Sequence, residues 1–296
     1  MHAVLGCSGY FVDSRRYVCM TTETLWRNAT SILAGALLLA GCSDDKPTKA
    51  EKVAAASVPG APPGAAADEA AKGAPASNVT ESNDLIEFVY AYPKEAARIP
   101  ELAKALDSDR AAKREAMVAA AQRDKAAAEK GGFPYHAHSY RQTWQRVTST
   151  PRFLSLSAEV ETYTGGAHGM QTFDTLIWDR NRRKQLKPLD LFQSGEAFDA
   201  AIRDSFCAGI KRAKAAKGIT ADEAPDSPFG KCPRASAQTV WLGSTDGRYL
   251  DRMTIAIAPY EVGPYAEGSY KINVPVTGAL VKAVKDEFAR DFLPIN

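Results

Sequence analysis

The sequence predicts an α+β fold, an antiparallel sheet packed with helices and arranged as two closely associated subdomains. Two observations carry this. Apolar residues alternate with polar ones in five segments between Leu85 and Val276, the period of half-buried strands. Between and after them lie stretches that begin at capping residues and place apolar side chains at helical spacing instead. Strands mostly adjacent in sequence, with helices packed against them, give an α+β architecture. A chain of 296 residues with 45% apolar and 24% charged composition excludes fibrous and fully disordered classes. A net charge of +2 leaves no nucleic-acid footprint.

The first segment is an address. Arg27 precedes an apolar run, Ala29 to Ala40, too short for the roughly 20 residues of a membrane span. It ends in Leu39-Ala40-Gly41-Cys42, which resembles the lipobox of bacterial lipoproteins, where the Cys thiol receives diacylglycerol. We therefore expect a signal peptide over 1–41, with Met20 as the true start, and lipidation at Cys42. Acyl chains partition at roughly 0.8 kcal/mol per methylene, so such a cysteine anchors the chain firmly. Ser43 after the anchor looks like an outer-membrane address, which places the protein on the periplasmic face of that membrane. From Ser43 to Thr80 there is no Leu, Ile, Met or aromatic residue, so 42–80 is expected to be a disordered Ala/Pro-rich tether.

Order is expected from Leu85, where Ile86, Phe88 and Tyr90 alternate as in a strand. Pro100 and Ser108 are helix-start residues, and the Asp109–Lys130 helix stops at Gly131-Gly132. Leu154, Leu156, Ala158 and Val160 mark a strand, Gly165-Gly166 a turn, and Met170 to Trp178 its hairpin partner. After a turn at Asp179-Arg180-Asn181, Ser194 caps a helix whose Phe198, Ile202, Phe206 and Ile210 form one stripe. Met253–Ile257 and Tyr270–Val276 are two more strands. Thr277 then caps a last helix carrying Leu280, Val281, Val284 and Phe288 on one face.

Few residues point to chemistry. Cys207 and Cys232 are the thiols left once Cys42 is modified and the leader removed, and an even pair in an oxidising compartment is expected to be bridged. His136 and His138, with His168, could ligate zinc, but no carboxylate stands at a ligand spacing, so no metal and no cofactor are expected. Gly165, Gly166 and Gly169 around His168 suit a sharp turn or a close ligand contact, and His168 is the one candidate catalytic residue. The loop from Pro259 to Gly268 carries Tyr260, Glu261 and Tyr265, rigid aromatic contact area beside a carboxylate. Glu159 with Glu161, and Asp174 with Asp179, are read as solvated strand residues or as glycosidase-type carboxylates.

GGAHG at 165–169, the Phe173-Asp174 strand, LKPLDLF at 186–192 and PYEVGPYAEG at 259–268 together carry a resemblance. They resemble the extracytoplasmic module shared by the lysozyme-sensing anti-sigma factor RsiV and the N-terminal part of the peptidoglycan deacetylase PdaC. The resemblance covers roughly residues 85–296 and implies a PdaC-like subdomain over 81–163 and an RsiV C-terminal-like subdomain over 164–296. It implies a binding module, and neither sigma-factor signalling nor deacetylation is carried over. Three readings of function stay open: a lipid-anchored binder of lysozyme-type muramidases through Gly165, Gly166, His168, Tyr260, Glu261 and Tyr265; an enzyme acting on peptidoglycan glycan; and a structural scaffold of the envelope.

Overall fold

The computed structural model describes residues 75–219 and 227–295. The expected signal peptide, Cys42 and the expected tether up to residue 74 lie outside the described residues. The chain opens with a hairpin, β1 (Pro75–Ser82) and β2 (Ile86–Pro93). At its turn the Asn83 side-chain oxygen accepts from the backbone N–H groups of Leu85 and Ile86. Residues 75–80, read from composition as tether, are thus an edge strand. Main-chain pairing with β2 and side-chain clasps from helix residues order them without apolar burial: Arg110 donates to Ser77 and Arg114 to both oxygens of Glu81.

A short helix, α1 (Lys94–Ala97), leads into α2 (Pro100–Gly131). Pro100 occupies the first turn, where its missing N–H costs nothing. Gly132, at φ 69°, ends the helix by returning its N–H to the last turn. Only Leu102, Leu106, Ala121 and Ala128 of this helix are buried. It carries the chain back to the starting end of the sheet, so β3 (His138–Ser149) pairs parallel to β2. The sheet, expected to be antiparallel, is so in every pair but this one, which the long crossover makes parallel. β4 (Phe153–Tyr163), β5 (Met170–Asp179) and β6 (Lys184–Leu186) complete it, in the order β1-β2-β3-β4-β5-β6.

One face of this sheet, with Phe88, Tyr90, Trp144, Leu156 and Trp178, packs on Leu102 and Leu106 of α2. The other presents Phe153 and Ile177 to a second core. That core contains the buried stripe of α3 (Gly195–Ala216) and a three-stranded antiparallel sheet of β7 (Thr239–Gly243), β8 (Arg252–Ile257) and β9 (Tyr270–Pro275). Ser194 caps α3 by accepting from Ala197 N–H at 3.1 Å. Gly209 lets α3 sit on β9, since a Cβ there would lie 2.4 Å from Ile272. The two cores share β4 and β5, so the expected division at 163/164 falls inside a hairpin.

The last helix is broken into α4 (Gly278–Ala283) and α5 (Asp286–Ala289). Val284 between them is extended and bridges Phe192, while Lys285 N–H donates to Leu191. Main-chain bonds to the 188–193 segment replace those a continuous helix would make.

The register fixes two ends of the large sheet. Pro75, Pro93, Phe153 and Asp179 lie at one end; Ser82, Ile86, His138, Tyr163 and Met170 lie at the other. The eleven residues of β4 separate them by roughly 33 Å.

Candidate functional site

The β4–β5 connection stands at the second end. Gly165 and Gly166 take φ values of 97° and 90°, left-handed backbone that a side chain would strain. Gly169 lies so close to Thr162 that a Cβ would come within 2.8 Å of its carbonyl oxygen. Tyr163 folds over the turn and its hydroxyl donates to the Gly166 carbonyl at 3.1 Å. These contacts fix a tight connection that projects His168 outward.

The β8–β9 connection reaches the same place. Val262 is buried and roots the loop in the second core. Lys217 supports its far side, donating to the carbonyl oxygens of Glu267 and Ser269 and lying 3.8 Å from the Tyr270 ring centre. Burial, followed by donation to the Glu267 carboxylate, pushes the Tyr270 hydroxyl well above the ordinary tyrosine range. Tyr260 holds φ at 72°, a conformation that non-glycine residues avoid, and the residue is 48% exposed.

The two loops interlock through three rings. His168 stacks on Tyr265 with centroids 3.8 Å apart, and the Tyr260 ring lies 6.3 Å from His168 and 5.6 Å from Tyr265. Gly169 carbonyl oxygen accepts from the Tyr265 hydroxyl and from His168 Nδ1, both at 2.9 Å. A carbonyl only accepts, so Nδ1 carries a proton, and in the neutral ring Nε2 accepts from the Tyr260 hydroxyl at 3.3 Å. Glu261 is exposed beside them and accepts from Gln238 at 3.3 Å. His168, Tyr260 and Tyr265, from loops about ninety residues apart, thus meet in one cluster, with Glu261 exposed next to Tyr260 in the chain, while Gly165 and Gly166 shape the turn that carries His168.

Beyond the glycine turn is a cleft of about 320 Å³, whose walls include Gly165, Gly166, Phe133, Tyr135 and His138. Sequence reasoning missed its aromatic wall; Phe133, 57% exposed, carried no pattern by which to find it. His138 is buried, with Nε2 3.1 Å from Asp124, whereas His136 is exposed. The three histidines do not converge, and no group of three His, Cys, Asp or Glu among the described residues is placed to hold a metal ion.

The carboxylates scatter as well. Glu159 pairs with Lys271 and Glu161 with Arg141. Asp174 accepts from Gln142 at 3.1 Å on the α2 side of the sheet. Asp179 is fully buried against Arg152. Cys207 and Cys232 form the expected disulfide, which ties α3 to the segment before β7.

Residues 79–171, from β1 through the glycine turn into β5, match the protein-family model described as Deacetylase PdaC. Among solved structures the chain is similar to a member of the DUF3298 family from Bacteroides fragilis NCTC 9343, at 17% identity and a TM-score of 0.45 over 73% of this chain and 94% of that one. It is similar also to a DUF3298 family protein from Pseudomonas aeruginosa PAO1, at 16% identity and a TM-score of 0.45 over 71% of this chain and 94% of that one. No curated protein matches the chain.

Proposed function

We propose that this chain carries a PdaC-type domain and is a lipid-anchored envelope protein that binds a lysozyme-type muramidase through His168, Tyr260 and Tyr265. The observation that carries this reading is the interlocking of the two loops: His168 stacked at 3.8 Å on Tyr265 makes a rigid, outward-facing aromatic surface. Rigid aromatic groups provide contact area with little entropy left to lose on binding, the makeup of an interface hot spot. A muramidase is cationic and has an acidic cleft, so aromatic anchors fill the cleft and Glu261 at the rim steers approach. No carboxylate among the described residues is hydrogen-bonded to His168, which favours recognition over acid–base chemistry. The lipobox at Leu39–Cys42 supplies the anchor and the periplasmic side of the outer membrane the location.

The test is saturable binding of a purified lysozyme-type muramidase to the full chain, set beside turnover of purified peptidoglycan. Binding without turnover is expected. Peptidoglycan turnover that is lost in His168→Ala would instead establish the enzymatic reading.

A further inference from the structure

At the opposite end of the six-stranded sheet, a cavity of about 220 Å³ opens between the start of α2 and the β5–β6 turn. Arg98, Arg180 and Arg183 line it against one carboxylate, Glu101, with Trp178 and Pro100 completing the wall. Three arginines against one carboxylate give the lining an excess of positive charge. The local structure holds them there. Arg180 donates to Ser149 Oγ at 2.7 Å, and Arg183, on left-handed backbone at φ 49°, reaches across to Glu101. Arg98 is exposed at the end of α1. Each guanidinium has five N–H donors, and these contacts leave most of them unused.

We propose that this cavity is a binding site for a phosphoryl group. Guanidinium forks match pairs of phosphoryl oxygens, and the tetrahedral group presents its oxygens to several forks in more directions than a planar carboxylate does. The volume leaves room for a substituent on the phosphate. The source of that phosphate rests on the anchored-protein reading above. Pro75 pairs with Pro93, five residues before Arg98, so the chain leading from Cys42 joins the domain at this same end. A lipid on Cys42 would keep the domain within a tether's length of phosphate-bearing headgroups. A soluble phosphoester is the other source of the same chemistry.

The test uses the full chain carrying Cys42→Ala, so that no acyl chain contributes. It is titrated calorimetrically with inorganic phosphate and sedimented with phosphatidylcholine vesicles, with and without phosphatidylglycerol. Saturable phosphate uptake, weakened about tenfold or more by Arg98→Gln or Arg183→Gln, is expected. Sedimentation only with phosphatidylglycerol, falling as salt rises and lost in the same variants, identifies headgroups as the source. Phosphate uptake without sedimentation identifies a soluble phosphoester. Absence of both, or either one unchanged in the arginine variants, overturns the site. Both variants should keep the parent melting temperature and muramidase binding. The parent chain with Cys42 intact, sedimented with phosphatidylcholine alone, tests the anchor separately.

Discussion

The Tyr265 ring covers the His168 imidazole at 3.8 Å while its hydroxyl holds the carbonyl of the very next residue, Gly169. One side chain thereby fixes both the ring and the backbone of the neighbouring loop. Tyr265→Ala should remove an anchor and release His168 together, so muramidase affinity should fall by about 2 kcal/mol or more. Tyr265→Phe keeps the stack and loses one hydrogen bond, so its cost should stay near 1 kcal/mol. Calorimetric titration distinguishes them; equal losses would mean that the hydroxyl, not the stack, organises the surface.

Tyr260 occupies left-handed backbone at a cost of roughly 1 to 2 kcal/mol. Glycine is at ease there. Tyr260→Gly should therefore hold or raise the melting temperature while muramidase binding weakens, and Tyr260→Phe should retain binding more closely. A Tyr260→Gly variant that melts well below the parent would show that the ring stabilises the fold rather than serving the surface.

Glu261 lies exposed at the edge of the ring cluster. Glu261→Gln should slow association with a cationic partner and leave dissociation nearly unchanged, and the difference should shrink as salt is raised. Stopped-flow association rates at two ionic strengths check this. A salt-independent effect would place Glu261 in direct, desolvated contact instead.

The elements legible in the sequence are those whose apolar pattern matches their burial, β2, β4, β8, β9 and the α3 stripe, with β5 legible as the hairpin partner across the glycine turn. β3 escaped because its inward positions include His138 and Gln142, polar groups whose Nε2 atoms face Asp124 and Asp174. β7 is short and nearly buried throughout, so it shows no alternation. The break at Val284 depends on main-chain bonds to residues about ninety positions away, which no local pattern encodes. The glycine turn and the tyrosine loop were each marked by composition. That they meet follows from the large sheet lying on the small one, where Thr175 donates to Val240, Trp241 to Asp174 and Lys271 pairs with Glu159.

The Cys207–Cys232 bridge closes a loop across a sequence separation of 25 residues. In the chain-entropy account such a closure stabilises by about 3.5 kcal/mol. Denaturant unfolding with and without reductant should show a loss of that order, matched by the Cys207→Ala, Cys232→Ala double variant. A loss below about 1 kcal/mol would show that the unfolded chain gains little freedom when the loop is opened.

Arg152 joins the sheet to the C-terminal segment. Its guanidinium donates to the Asp179 carboxylate at 3.0 Å and to Asp291 and the Glu287 carbonyl at 2.8 Å. It also lies 4.7 Å from the Phe288 ring centre and 5.1 Å from that of Phe153. Asp179 is fully buried, so removing its strongest partner strands a charge in low dielectric, which typically costs 3 to 5 kcal/mol. The Asn181 and Arg182 backbone N–H groups also donate to Asp179 and soften that penalty. We expect Arg152→Met to destabilise by about 3 kcal/mol and Arg152→Met with Asp179→Asn by clearly less than the two single losses together. Urea unfolding of the four proteins gives the coupling directly. Because Arg152 lies at the end of the sheet opposite His168, whichever Arg152 variants remain folded should bind muramidase like the parent. Strict additivity would show that Arg152 acts through Phe288 and Asp291 rather than through the buried carboxylate.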